Sequence, residues 1–321
     1  MKNKILCGVI GLLTIALIIE VSFVKETNFS FQEEQKEQEV KSNMEEQKKE
    51  EPLKQTTIKV YNPETKEIKE MNLEDYIIGV VAAEMPVSFE LEALKAQAVT
   101  ARTFAIYKKE HRAMDYDVII GVADQAYNNI EQMQNKWKEN FQTNYNKIKQ
   151  AVEETLGEII TYEGKTIEAF YFSMSNGHTE NSELVFLESL PYLTSVESSW
   201  DNPSLQNYEV TKTLTKEEFC TNLGISCQNI MINQINRTNS GRVLTITINN
   251  QDFKGTDIRK KLNLRSTDFD ITVNDVINIT TRGYGHGVGM SQYGANGMAK
   301  EGSNYTDILN HYYQNIEISK I

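Results

Sequence analysis

The chain has 321 residues, a formal net charge of −12 and 40% hydrophobic residues, enough apolar material to bury one large core or two small ones. Nucleic-acid binding is excluded, because phosphate contacts need clustered Lys and Arg that so acidic a chain does not supply.

Lys2 and Lys4 precede an apolar run from Ile5 to Ile19 that continues past Glu20 to Val24. At about 20 residues it is roughly membrane-thick and reads as a signal-anchor spanning 1–24. No small-x-small cleavage site follows it, so an uncleaved anchor is preferred to a removed signal peptide. The preceding positive charges put the short N-terminus in the cytoplasm and the rest outside. Residues 25–56 are rich in Glu, Lys and Gln and nearly free of aliphatic residues. Such a segment cannot bury enough apolar surface to offset its ordering entropy, so it reads as a charged stalk.

The folded part begins with a predicted strand at Thr57–Tyr61, a turn at Asn62-Pro63 and a partner strand near Ile68. Leu73–Ala83 has helical apolar spacing, and Pro86 disfavours a helical Met85, so this helix should stop close to Glu84. A second, Ala-rich helix is expected over Leu91–Tyr107. Glu84 then lies at a helix–helix corner, a lone carboxylate between Val80–Ala83 and Met85-Pro86. Lys95 and Arg102 share one face of the second helix, with Ala98 and Ala101 between them, as on a surface against which something packs closely. The plain alternatives are a solvated face and a Glu84 paired with Lys95 or Arg102.

After a loop holding Asp124, Gln125 and Tyr127, a third helix is expected over Asn146–Thr155, then a hairpin over Glu158–Phe172. The following Ser173–Asn181 loop, with Ser173, Ser175 and Asn176, is dense in hydrogen-bonding groups and could be a ligand site or a plain turn. From about 206 to 280 the pattern changes to short strands with a brief helix near Thr256–Lys261. The fold class is therefore α+β: a helical core with β-hairpins over 57–205 and 281–321, into which a smaller α+β subdomain, 206–280, is inserted.

Cys220 and Cys227 bracket a short loop and could pair in an oxidising compartment, but two small buried residues is the preferred reading. Gly283, Gly285, Gly287, Gly289 and Gly294 have the wrong spacing for a P-loop or a dinucleotide fingerprint. Alternating glycines instead permit close backbone approach and leave Tyr284, His286, Gln292 and Tyr293 to project from a tight loop, suited to stacking on sugars and hydrogen-bonding them. His286 lacks spaced metal-ligand partners among the other three histidines, His111, His178 and His311.

In order along the chain, E84-M-P-V-S-F and the helix after it, S173-M-S-N-G-H-T, P191-Y-L, G255-T-D-I-R, L264-R-S-T-D-F and G285-H-G-V-G-M-S-Q-Y-G-A resemble stage II sporulation protein D and its relatives, a family that includes amidase enhancers. The resemblance runs from about 57 to 318. It implies a peptidoglycan lytic transglycosylase that cuts peptide-free glycan strands between MurNAc and GlcNAc during engulfment of the forespore. It also implies a complex with stage II sporulation proteins M and P on the mother-cell engulfing membrane. A non-catalytic glycan-binding module that stimulates an amidase is the competing function. Some relatives carry a Cys/His segment able to hold zinc; Ile119–Tyr127 has neither residue here, so no metal or other cofactor is expected.

Under the resemblance Glu84 is the catalytic acid/base and Arg102 belongs to the same site. Glycoside hydrolysis usually needs two carboxylates. A lytic transglycosylase manages with one, because the 6-hydroxyl of muramic acid attacks the anomeric carbon at high effective concentration. Arg102 and Lys95 are expected to bind the lactyl carboxylate or orient Glu84, and Ser173, Ser175 and Asn176 to hold N-acetyl groups. Gln97, Gln125, Tyr127, Tyr284, His286, Gln292 and Tyr293 complete the expected substrate-binding set.

Overall fold

The computed structural model describes residues 56–321. The expected anchor, and the stalk up to residue 55, lie outside the described residues. Among the described residues no helix is long and apolar enough to cross a membrane.

Strands β1 (Thr57–Asn62) and β2 (Glu67–Asn72) form the expected antiparallel hairpin. Helix α1 (Leu73–Glu84) starts where the Asn72 side chain accepts the Glu74 and Asp75 amides, and stops where Met85 turns extended before Pro86. The open Ala82 carbonyl in its last turn accepts from Lys136 Nζ at 2.9 Å and Asn128 Nδ2 at 3.3 Å.

Helix α2 (Leu91–His111) is the axis of the core. Ala93, Ala96, Ala98, Ala101 and Ala105 are all fully buried, and every residue from Ala96 to Ile106 is buried, so the helix is surrounded and not laid on a surface. Small side chains let its neighbours come close.

Strand β3 (Val118–Ile119) pairs parallel to β1. Two helices follow where the sequence implied one: α3 (Ile130–Trp137), opened by an Asn129–Gln132 capping box, and α4 (Phe141–Glu153), five residues earlier than expected. The break between them is at Lys138, which takes a positive φ of 48°.

The expected hairpin over 158–172 is only half formed. Strands β4 (Glu158–Tyr162) and β5 (Lys165–Thr166) pair around Glu163-Gly164, and β4 also takes the C-terminal strand as a partner. Strand β6 (Tyr171–Phe172) leaves and pairs parallel with Met290–Ser291, next to the glycine-rich segment. Backbone approach at those glycines competes successfully for this strand. A short helix, α5 (Glu183–Phe186), follows.

Strand β7 (Glu209–Leu214), helix α6 (Lys216–Leu223), strands β8 (Ile232–Arg237), β9 (Val243–Ile248) and β10 (Gln251–Lys254), helix α7 (Gly255–Lys261), and strands β11 (Phe269–Val273) and β12 (Ile277–Arg282) come next. They enclose a second hydrophobic cluster, around Phe219, Ile246, Ile258, Leu262, Phe269 and Ile279. The chain enters this region on β7 and leaves on β12, and these two strands pair in register from Glu209↔Arg282 to Leu214↔Ile277. Cys220 and Cys227 form a disulfide, with Cα atoms 5.7 Å apart, which corrects the expectation of two free buried residues. Cys220 is buried but Cys227 is exposed, so burial alone did not describe the pair. Strand β13 (Met290–Ser291), helices α8 (Gln292–Lys300) and α9 (Tyr305–Tyr312) and strand β14 (Glu317–Lys320) complete the chain.

Candidate active site

Glu84 ends α1 at the corner before α2, partly exposed, between Ala83 and the buried Met85. Its Oε1 accepts the Ala126 amide at 2.7 Å and the Tyr171 hydroxyl at 3.1 Å. It pairs with neither Lys95 nor Arg102. Burial pushes its carboxyl above the ordinary value, and the Ala126 and Tyr171 hydrogen bonds, which favour the charged form, only partly oppose this.

Behind Tyr171 stands a relay of neutral groups. Buried Gln125 donates Nε2–H to the Tyr171 oxygen and to the Ala101 carbonyl, both at 3.3 Å, and its Oε1 accepts from Tyr76 at 3.2 Å. With the Tyr171 oxygen receiving from Gln125, its own hydrogen is free to point at Glu84. Burial, with the nearby Glu84 charge, raises the Tyr171 phenol well above its usual range, so it remains a neutral donor. Gln125 thus supports the acid from behind. Tyr127 stacks on Tyr76, with ring centroids 5.6 Å apart, and edges a pocket of about 310 Å³ with Asp75, Ile78, Met133 and Tyr145.

The two cations expected to face substrate are committed elsewhere. Arg102 is fully buried; it makes a bidentate pair with Glu74, and donates to the Glu158 and Val152 carbonyls at 3.0 and 3.3 Å. That arrangement is a strut between α1, α2 and the α4–β4 turn, with no face left for a ligand. Lys95 pairs with Glu92 at 2.7 Å and Glu154 at 2.5 Å, bracing α2 against the end of α4. Gln97 is fully buried and its Oε1 accepts from Gln292 Nε2 at 3.2 Å, so these two expected contacts hold each other, although the Gln97 Nε2 has no partner.

The polar loop also turns inward. Ser175 is buried against Asp201, and Asn176 donates to the Ser240 carbonyl at 2.8 Å and to Asp268 at 2.9 Å, fastening the loop to residues of the 206–280 region. Ser173 is half-exposed, and its carbonyl accepts the Tyr293 amide at 3.0 Å. Tyr293 packs edge-on against Phe89, 4.9 Å between centroids. Tyr284 is exposed. His286 does not project: its ring sits among Phe170, Phe172 and Phe186, its Nδ1 accepts the Val288 amide at 3.1 Å, and it hydrogen-bonds the Tyr171 backbone. Desolvation, with the positive Arg259 nearby, pushes its pKa down to about 3.

A protein of Bacillus amyloliquefaciens named stage II sporulation protein D is 44% identical over 272 residues, 82% of this chain and 79% of that relative. The chain belongs to the stage II sporulation protein D family. The stage II sporulation protein D of Bacillus subtilis is 41% identical over 327 residues, covering 99% of this chain and 94% of its own length. A family model described as "Stage II sporulation protein" matches residues 61–162, a span that takes in Glu84, Gln125 and Ala126 but stops short of Tyr171. An amidase enhancer of Bacillus subtilis is 28% identical over 295 residues, 73% of this chain and 39% of the enhancer. Membership makes this a sporulation protein.

Within this member of the sporulation protein D family, the other carboxylates near the loops are engaged. Asp124 forms a bidentate pair with Arg112 and accepts the Ile119 amide. Glu180 is buried and takes hydrogen bonds from Thr238 and Ser240, both at 2.6 Å. Asp201, also buried, is held by Ser198, Ser175 and Ser291. Sequence reasoning missed Tyr171 and Asp201, whose partners lie far away along the chain and leave no periodic trace. Among the described residues no group of three His, Cys, Asp or Glu is arranged to hold a metal.

Proposed function

We propose that the chain is a peptidoglycan lytic transglycosylase that cleaves peptide-free glycan strands between MurNAc and GlcNAc, with Glu84 as its acid/base. The observation that carries this is the Glu84 carboxyl itself: partly exposed, raised by desolvation, held by two neutral donors and paired with no cation. A carboxyl whose pKa is raised holds its proton to higher pH and can give it up there, whereas an ion pair lowers the pKa.

The reaction needs little more. Protonated Glu84 delivers its proton to the glycosidic oxygen as the bond from that oxygen to C1 of muramic acid breaks, and GlcNAc departs as the alcohol. The 6-hydroxyl of the same muramic acid closes on C1 to form the 1,6-anhydro ring, and its proton returns to the Glu84 carboxylate. No second carboxylate is required, in keeping with the engagement of Asp124, Glu180 and Asp201 in other bonds.

In this reading the N-terminal apolar run tethers the protein to the mother-cell engulfing membrane with the catalytic part outside the cytoplasm. There it acts during engulfment beside stage II sporulation proteins M and P. Family membership supports the sporulation setting.

The full chain incubated with peptide-free strands should release products with 1,6-anhydro ends, one water lighter than reducing ends by mass spectrometry. Glu84→Gln should lower that release about 10²–10⁴-fold while still binding the strands. Products with reducing ends would mean a hydrolase. Binding without any product would mean a glycan-binding module that acts through an amidase.

A further inference from the structure

With Arg102 and Lys95 turned away, the charge able to read a carboxylate must come from elsewhere. Arg265 reaches Tyr284, and Arg259, on α7 just before it, lies in the same neighbourhood. The Arg265 guanidinium lies 4.1 Å from the Tyr284 ring centroid, and Arg259 lies near both Tyr284 and His286. The backbone fixes the arrangement: Leu264 N–H donates to the Arg259 carbonyl at 2.9 Å, and Gly285 N–H to the Arg265 carbonyl at 3.0 Å.

Neither arginine has an acidic partner among the described residues. Arg102, Arg112, Arg237 and Arg282 are each paired with Asp or Glu, and Arg242, buried without a direct ion pair, donates to Ser240 Oγ and the His178 carbonyl with Glu180, Asp268 and Asp201 nearby. Arg259 makes no side-chain hydrogen bond, and the Arg265 side chain makes one, to the Asn207 carbonyl at 3.3 Å. Both Nε atoms are buried without a partner, whereas the terminal nitrogens are not closed off. In a chain with 45 acidic and 33 basic residues, two half-buried guanidiniums without an ion pair stand out, and Arg259, unlike Arg242, has no carboxylate acting on it. Partly desolvated cations without a counter-charge cost free energy that an anionic ligand offsets.

The arginines are also connected to Glu84. Tyr284 bridges to Met174, two residues past the end of β6, and Tyr171 at the start of β6 holds Glu84. A strand lying along this stretch would meet the acid at one end and the arginines at the other.

We infer that Arg259 and Arg265, with Tyr284, form a subsite for a carboxylate of the glycan strand, namely the lactyl group of a muramoyl unit other than the one cleaved. The inference rests on the strand being the substrate. A lactyl group is a carboxylate once its stem peptide has been removed and a neutral amide while the peptide is attached. Two guanidiniums without counter-ions distinguish these by charge, so the preference for peptide-free strands resides in the 206–280 region and not at Glu84.

The test is binding by the full-length Glu84→Gln chain, which leaves the strand intact. Four probes are compared: peptide-free strands, the same strands with lactyl carboxylates converted to methylamides, peptide-bearing strands, and chitotetraose, which is neutral and lacks lactyl groups. Peptide-free strands should bind about tenfold or more tightly than their methylamides at low salt, and adding Arg259→Gln and Arg265→Gln should remove that preference. Chitotetraose binding and melting temperature should not change, which separates loss of the subsite from loss of the fold. The inference is overturned if the preference is absent, if it survives both substitutions, or if peptide-bearing strands bind as tightly as peptide-free ones through the same arginines, since the stem carboxylates would then be the ligand. A preference that behaves as expected in a wild-type chain releasing no anhydro product would leave the subsite standing and remove the catalytic reading of Glu84.

Discussion

At the scale of single residues, the site depends on how one acid is held in place with its pKa raised. Tyr171 donates to Glu84 and so favours its charged form; burial outweighs that donation. Tyr171→Phe therefore raises the Glu84 pKa further. Because the first step of the proposed reaction needs the protonated acid, the alkaline limb of the pH–rate profile should move to higher pH, while the rate at the optimum falls about tenfold through loss of a hydrogen bond to a charged group. A limb that stays in place or moves down would contradict the role given to Tyr171. His286, held neutral above about pH 3, should contribute no limb of its own between pH 5 and 8. The place of Glu84 at the end of its helix was legible in the sequence, because a charge at the end of an apolar run stands out against its neighbours. Tyr171, separated from it by 87 positions, was one aromatic among several, and nothing local distinguishes the one that turns toward the acid.

Among the secondary-structure elements, the stretch from Phe170 to Met174 and the glycine-rich segment form one unit. Gly283, Gly285, Gly287 and Gly289 all have positive φ. A Cβ on Gly285 would lie 2.6 Å from the Phe172 Cβ, one on Gly283 would lie 2.7 Å from the Met174 carbonyl oxygen, and one on Gly289 would strike the Phe170 carbonyl. Gly289→Ala combines a left-handed backbone with a clash against backbone and should destabilise by about 3 kcal/mol or more in chemical unfolding, with Tyr171 displaced and activity lost. A stable, active Gly289→Ala protein would show that the approach is not required. Local patterns made α1, α2 and the β1–β2 hairpin readable, since period and turn residues act within a few positions. The β6–β13 pairing joins positions more than a hundred residues apart and displaced the local hairpin the sequence implied.

Taken as a whole, the molecule has ion pairs that serve as struts and a second apolar cluster fastened to the main core by buried polar contacts. Arg102 reads in sequence as a cation beside small residues on a helix face, and that pattern is the same whether the face meets a ligand or the rest of the protein. Its full burial on Glu74 decides for the protein. Arg102→Ala leaves Glu74 without its partner and should lower stability by about 3–5 kcal/mol, measured by denaturant unfolding. A substrate contact would instead raise KM with the unfolding midpoint unchanged. The short strands after residue 206 leave a local pattern in the sequence, but the part-buried ties from Asn176 to Ser240 and Asp268 do not, because each joins two ordinary polar residues across the chain.

Both hydrogen bonds to Glu84 end on Oε1. When the carboxyl is protonated, its hydrogen therefore sits on Oε2, the one oxygen without a donor. In the proposed reaction the leaving glycosidic oxygen must reach that atom to collect the proton, and the 6-hydroxyl must later give its proton back to the same atom. A single oxygen then serves as exit and entrance in turn, so the departing sugar has to clear Oε2 before the ring can close.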